Sequence, residues 1–187
     1  MSAIYEPGKS LPFDEDLRLV ERATAGDEEA FQALYERYHD KVFAIARGIL
    51  LDHEEAADAV QEIFTLVYRH LARFDRRSKF STWLFRIAVN RSIQQARRGR
   101  SRRHQVPLTE AYDKAEEAPE IEADDPAIAA AMAKLHPADR ALLTLFYWDE
   151  LSLQEIAESL GCSANAAKTR LFRARERFRA FYEEEKP

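Results

Sequence analysis

Apolar residues recur at intervals of three and four through most of this chain, and with 5 glycines in 187 residues and few β-branched alternations the repeat confines it to helices. Over about 28–50 the stripe is Phe31, Leu34, Tyr35, Tyr38, Val42, Ile45, Ala46 and Ile49. From about 53 to 74 it is Val60, Ile63, Phe64, Val67, Leu71 and Phe74. The stretch 79–103, KFSTWLFRIAVNRSIQQARRGRSRR, begins in the same way with Phe80, Trp83, Leu84, Ile87 and Ala88, and then the stripe stops. From Asn90 onward come Arg91, Gln94, Gln95, Arg97, Arg98, Arg100, Arg102 and Arg103. A helix anchored at one end and basic at the other presents cations and amides to phosphates and bases. A solvated basic tail would account for the charge alone, but a second nucleic-acid signature lies near the other end of the chain.

The formal net charge is -5, which by itself argues against a nucleic-acid partner. The charges are segregated, however. The arginines at 97–103 are followed by Glu110, Asp113, Glu116, Glu117, Glu120, Glu122, Asp124 and Asp125, with Lys114 among them. An acidic chain with basic patches should bind free DNA poorly and do better when a partner presents it. The single cysteine, Cys162, rules out an internal disulfide and reads as a small packed residue. No Cys/His cluster has metal-ligand spacing and no nucleophile stands with a base, so no metal, cofactor, catalytic residue or small-molecule substrate is expected. No apolar run approaches the ~18 residues of a membrane span. The start, MSAIYEPGKS, lacks a signal peptide's pattern, so the expected location is cytoplasmic, without membrane insertion.

Taken in order, residues 1–13 hold Pro7, Gly8 and Pro12 and read as a flexible leader. A helix from Asp14 to Thr24 carries Leu17, Val20 and Ala23, Gly26 ends it, and Asp27 caps the next. The helix from about 53 opens with Glu54, Glu55, Asp58, Gln61 and Glu62. The helix dipole accounts for acid in a first turn, but Asp58 and Glu62 lie beyond its reach on one face: either a solvated surface or a dock for a basic partner. Asp75 to Lys79 is a short basic loop, and Ser78 or Ser81 caps the helix after it. Cations beside an aromatic helix start are the parts needed to hold an unstacked base. Residues 104–124, with Pro107, Pro119 and no period, read as a flexible acidic linker that spans up to ~70 Å when extended.

A second domain, 125–187, opens with an Asp125 cap and Pro126 at the first helical position, followed by Ile128, Met132 and Leu135. Pro137 begins PADRALLTLFYWDE, with Leu142, Leu143, Leu145, Phe146 and Tyr147 as its apolar face. Ser152 and Glu155 form a capping box, Ile156, Ala157 and Leu160 face inward, Gly161 stops the helix, and Ser163 caps the next. Two helices joined by a short turn containing Gly are the helix-turn-helix signature. In the second of them Ala167, Leu171, Ala174 and Phe178 face inward, while Lys168, Thr169, Phe172 and Arg173 point outward where base edges are read. Arg170, Arg175, Arg177 and Arg179 suit phosphates.

Together DAVQEIF at 58–64, FSTWLFRIAVNR at 80–91, and LSLQEIAESLGCS with AKTRLFRARERF at 151–178 resemble the extracytoplasmic-function sigma factors of bacterial RNA polymerase. The resemblance covers about 14–103 and 125–181. It implies an all-α protein of two helical domains, an N-terminal sigma-2-type helical bundle (14–103) and a C-terminal sigma-4-type helix-turn-helix (125–187). It implies that Asp58, Gln61 and Glu62 dock on the clamp helices of the polymerase's largest subunit, with the flap region as a further contact. It further implies that Arg76, Arg77, Lys79, Phe80, Ser81, Trp83, Asn90, Arg91, Gln94, Arg97 and Arg98 recognise and melt the minus-ten element. Ser163, Asn165, Lys168, Thr169, Arg170, Phe172, Arg173 and Arg175 would then read the minus-thirty-five duplex. The implied partners are core RNA polymerase, promoter DNA and an anti-sigma factor. Ala166-Ala167 departs from the family's usual Thr-Val, which removes a hydroxyl able to reach a phosphate. The rivals are a conventional helix-turn-helix regulator, which leaves FSTWL and the acidic helix unexplained, and a decoy that titrates an anti-sigma partner.

Overall fold

A computed structural model describes residues 12–105, 125–147 and 151–186. The described residues form eight α-helices and one 3₁₀ turn, with no strand among them: α1 (Pro12–Thr24), α2 (Glu28–Leu50), α3 (His53–His70), the turn Leu71–Arg73, α4 (Phe80–Gln105), α5 (Pro126–Lys134), α6 (Pro137–Tyr147), α7 (Leu153–Leu160) and α8 (Ala164–Glu185). Most of the leader, the linker over 106–124 and Trp148 to Glu150 lie outside the described residues.

Most helix starts are set by side chains that satisfy otherwise orphaned backbone N–H groups. Asp27 accepts from the Ala30 N–H at 3.1 Å, Asp52 from Glu55 at 2.7 Å, Asp125 from Ala127 at 2.9 Å and Ser163 from Ala166 at 3.2 Å. At α7 the capping box is complete, since Ser152 Oγ accepts from the Glu155 N–H and Glu155 accepts from the Ser152 N–H. Gly161 then ends α7 at φ 62°, in the left-handed region that glycine enters without steric cost.

Helix bounds differ from the sequence reading in four places. The basic helix α4 continues through Gln105, into residues expected to start the linker. α1 begins at Pro12, inside the expected leader, and α8 runs on to Glu185, past the end near 179 expected for the helix that Ser163 caps. Conversely α3 stops at His70, and the 3₁₀ turn closed by Phe74 N–H on Leu71 C=O brings the Phe74 ring against Phe80 and Trp83.

α2 is the hub, packed against α1, α3 and α4 on one side and against α6 on another. α4 likewise meets α3, α6 and α7, while α5, α6 and α7 gather on α8. Buried apolar side chains form one cluster that runs from Val20 to Ala174 without a break between the two halves of the chain. Phe80, Leu34, Ile45, Ile49 and Ile63 fill the first half, and Leu135, Leu145 and Ile156 the second.

Candidate nucleic-acid interface

The basic loop between the 3₁₀ turn and α4 is folded back by its own polar groups. Asp75 accepts from the Arg77 N–H at 3.1 Å. Arg76 sits at φ 61°, a left-handed conformation that a side chain with a Cβ rarely adopts, and its guanidinium donates to Glu21 of α1 at 2.6 Å. Lys79 donates to Glu155 of α7 at 2.9 Å, and that bond raises the Lys79 pKa and lowers that of Glu155. Behind the loop Phe74, Phe80 and Trp83 lie with ring centroids 5.4 to 5.9 Å apart. Phe80 is 1% exposed and offers no surface to a ligand, so the expectation that set it against DNA gives way to a supporting role. Trp83 and Ser81 are half-buried and keep part of their surface open.

A polar cluster under this wall carried no signal in the sequence. Asp16 is 4% exposed, accepts from Arg37 at 2.8 Å and from the Tyr38 hydroxyl, and so ties α1 to α2. Burial, then the bond to Asp16, push the Tyr38 phenol above the usual tyrosine range.

Along the second half of α4, Asn90, Gln94, Arg97 and Arg98 are exposed and line one side of a cleft of about 530 Å³ that has Arg170 of α8 on the other. Arg91 is placed differently. It bonds to the Glu62 carboxylate of α3 and donates to Gln94 Oε1 at 2.9 Å, so a residue expected at DNA is paired with one expected at the polymerase.

On α3 the side chains of Asp58, Gln61 and Glu62 are exposed, which a solvated surface and a docking face share. Tyr68 is also on the surface of α3, 56% exposed and edge-on to Phe31 at 5.0 Å, a position that periodicity alone does not single out.

On α8 Ala167, Leu171 and Ala174 are buried and Phe178 half-buried, which leaves Asn165, Lys168, Thr169, Arg170, Phe172 and Arg173 exposed. Phe172, at 62%, is a large apolar ring held in solvent on a basic face. Ser163 is occupied as the helix cap. Arg175 departs from its expected place at a phosphate: its guanidinium stacks on Phe146 at 4.7 Å and Tyr147 at 5.2 Å, and its buried Nε has no hydrogen-bond partner among the described residues.

An exposed carboxylate face on one helix, a basic loop over an aromatic wall and a capped helix-turn-helix with a basic outer face are therefore held on one scaffold. Two family models match over these same parts, Sigma-70 region 2 across residues 34–103 and Sigma-70, region 4 across 126–178. The chain belongs to the ECF sigma factors of RNA polymerase. It is 32% identical to the RNA polymerase sigma-H factor of Pseudomonas aeruginosa, over 89% of this chain and 93% of that one. It is 32% identical to the ECF sigma factor SigW of Bacillus subtilis, over 86% and 92%, and 34% identical to the sigma-E factor of Escherichia coli K12, over 86% and 91%. Among solved structures it is similar to CnrH in complex with the cytosolic domain of CnrY, with a TM-score of 0.69 at 25% identity over 92% of this chain and all of that one. The fold is also that of the sigma factor RpoE of Bartonella quintana, solved with the anti-sigma factor NepR, with a TM-score of 0.63 at 23% identity over 83% and 98%. As a member of the sigma-factor family the chain is a transcription initiation factor, directing RNA polymerase to promoters, and not an enzyme. Among the described residues no helix is long and apolar enough to cross a membrane.

Proposed function

We propose that this ECF sigma factor divides its work between two domains, 14–103 and 125–187, one that melts the minus-ten element and one that grips the minus-thirty-five duplex. The observation that carries the reading is the joint match of both sigma regions, each falling on an exposed face of suitable chemistry. Asp58, Gln61 and Glu62 dock on the clamp helices of core polymerase, and Tyr68 extends the same surface with an aromatic ring. Arg76, Arg77 and Lys79 hold the backbone of a strand whose flipped base rests against Trp83 and Ser81, on the foundation that Phe80 supplies. Extracting a base costs a few kcal/mol, and stacking with phosphate contacts returns a similar amount, so opening needs no covalent step.

Asn90, Gln94, Arg97 and Arg98 meet the upstream duplex edge, and Arg91 joins them once it leaves Glu62. Lys168, Thr169, Phe172 and Arg173 read the minus-thirty-five groove, with Asn165 and Arg170 on the backbone. The chain works in the cytoplasm. Its restraint by an anti-sigma factor is supported by the similar RpoE of Bartonella quintana, solved with the anti-sigma factor NepR. The division of labour is tested by permanganate footprinting of polymerase complexes. Lys168→Ala should weaken occupancy of the duplex and the footprint together, while Arg77→Ala should leave the complex bound and closed. If the two variants give the same footprint and occupancy, the division is wrong.

A further inference from the structure

The two halves matched by the two family models are closed on one another, and a single small contact governs how tightly. α6 lies along α2, and where they cross stands Gly48. A Cβ added there would lie 2.4 Å from Thr144 Oγ1 and 2.7 Å from Thr144 Cγ2, so these helices meet this closely because residue 48 has no side chain. Thr144 is 1% exposed, and its hydroxyl has no hydrogen-bond partner among the described residues. Further along the same interface Lys79 is bonded to Glu155 at 2.9 Å, and a Cβ at Gly161 would lie 3.6 Å from the Arg86 guanidinium. The loop proposed to open DNA is thus fastened to the residue that caps the helix-turn-helix.

This arrangement cannot serve a promoter. Elements centred about 25 base pairs apart lie ~85 Å apart at about 3.4 Å per base pair, whereas the two halves that carry their proposed readers are packed together through α2, α4, α6 and α7. We propose that the Gly48–Thr144 seat sets how readily the two halves part, a separation the chain must undergo before its two exposed DNA-reading faces can reach both elements at once. The inference rests on the division of labour proposed above. The seat combines two opposed effects. The missing side chain at 48 admits close packing, which favours closure, while the buried hydroxyl of Thr144 loses its water on closing and gains no partner, which favours opening. Valine would fill the same space without that cost, so the threonine holds the closed form short of a lock.

The seat makes substitutions with opposite outcomes, neither of which touches a proposed DNA or polymerase contact. Gly48→Ala should open the full-length chain, read as a larger radius of gyration in small-angle X-ray scattering, and should raise run-off transcription at limiting concentrations of the chain. Alanine is a better helix former than glycine, so the helical circular dichroism of the variant should be undiminished. Thr144→Val should stay compact and lower transcription roughly fivefold, the change that removing an unsatisfied buried hydroxyl worth about 1 kcal/mol produces. A compact Gly48→Ala, an open one with unchanged or reduced transcription, or a Thr144→Val as active as the parent would each overturn the proposal. Failure of every form, the parent included, to start transcription would sink the functional reading instead, while scattering would still decide whether the seat controls closure.

Discussion

Phe80 shows how one residue type can mislead at a site and inform at a core. Its place at the head of a basic helix suggested contact with DNA, yet it is buried against Tyr38, Phe74 and Trp83. Phe80→Ala should therefore cost ~3–5 kcal/mol of folding free energy, read by urea denaturation, well above a surface change. Lys168→Ala and Phe172→Ala lie at the other extreme. Both side chains are exposed, so each should leave stability within about 0.5 kcal/mol of the parent while weakening binding to a minus-thirty-five duplex in a mobility-shift titration with holoenzyme. Arg76 combines the two effects. Its left-handed backbone costs ~1–2 kcal/mol, against a bond to Glu21 that is half in solvent and worth at most about 1 kcal/mol. Arg76→Gly should leave the denaturation midpoint unchanged or raised, and loss of strand opening in that variant would then report on DNA and not on folding.

Element starts and stops were legible because caps are local chemistry. Asp27, Asp125, Ser152 and Ser163 each bond within three residues, and Gly161 takes the conformation its lack of a side chain allows. Inward faces were equally legible from period alone, down to Ala167, Leu171 and Ala174 on α8. Partners distant in the chain left no such mark. Nothing near Asp16 announces Tyr38, nothing near Glu62 announces Arg91, and the stacking of Arg175 on Phe146 depends on how α6 and α8 cross. The bond between the α4 loop and α7 has a pH signature with a definite sign. Glu155 has a lowered folded pKa, so its share of the stability is present above its ordinary value of 4.5 and is lost as pH falls through the folded value. Lys79 has a raised one, so its share is present below 10.5 and is lost as pH rises through the folded value. The stability difference between the parent and Lys79→Met should be flat from about pH 6 to 9 and should shrink in acid below about pH 4.5, in urea titrations across that range. Lys79 is mostly in solvent and Glu155 only partly buried, so the difference should be small and should fall further with salt.

For the molecule as a whole, two helical units are legible in the sequence, and the structure adds that they share one buried cluster. Periodicity in α2 marks Gly48 only as a weak helix former, and the value of that position becomes visible once α6 is laid on it. The acidic net charge is consistent with a chain that meets promoters in the company of polymerase and not alone. Run-off transcription with core polymerase, this chain and promoter-bearing genomic fragments tests the central claim most directly. The account predicts transcripts with discrete new starts that require the chain and weaken with Lys168→Ala. Core enzyme that starts at the same places with and without the chain would contradict it.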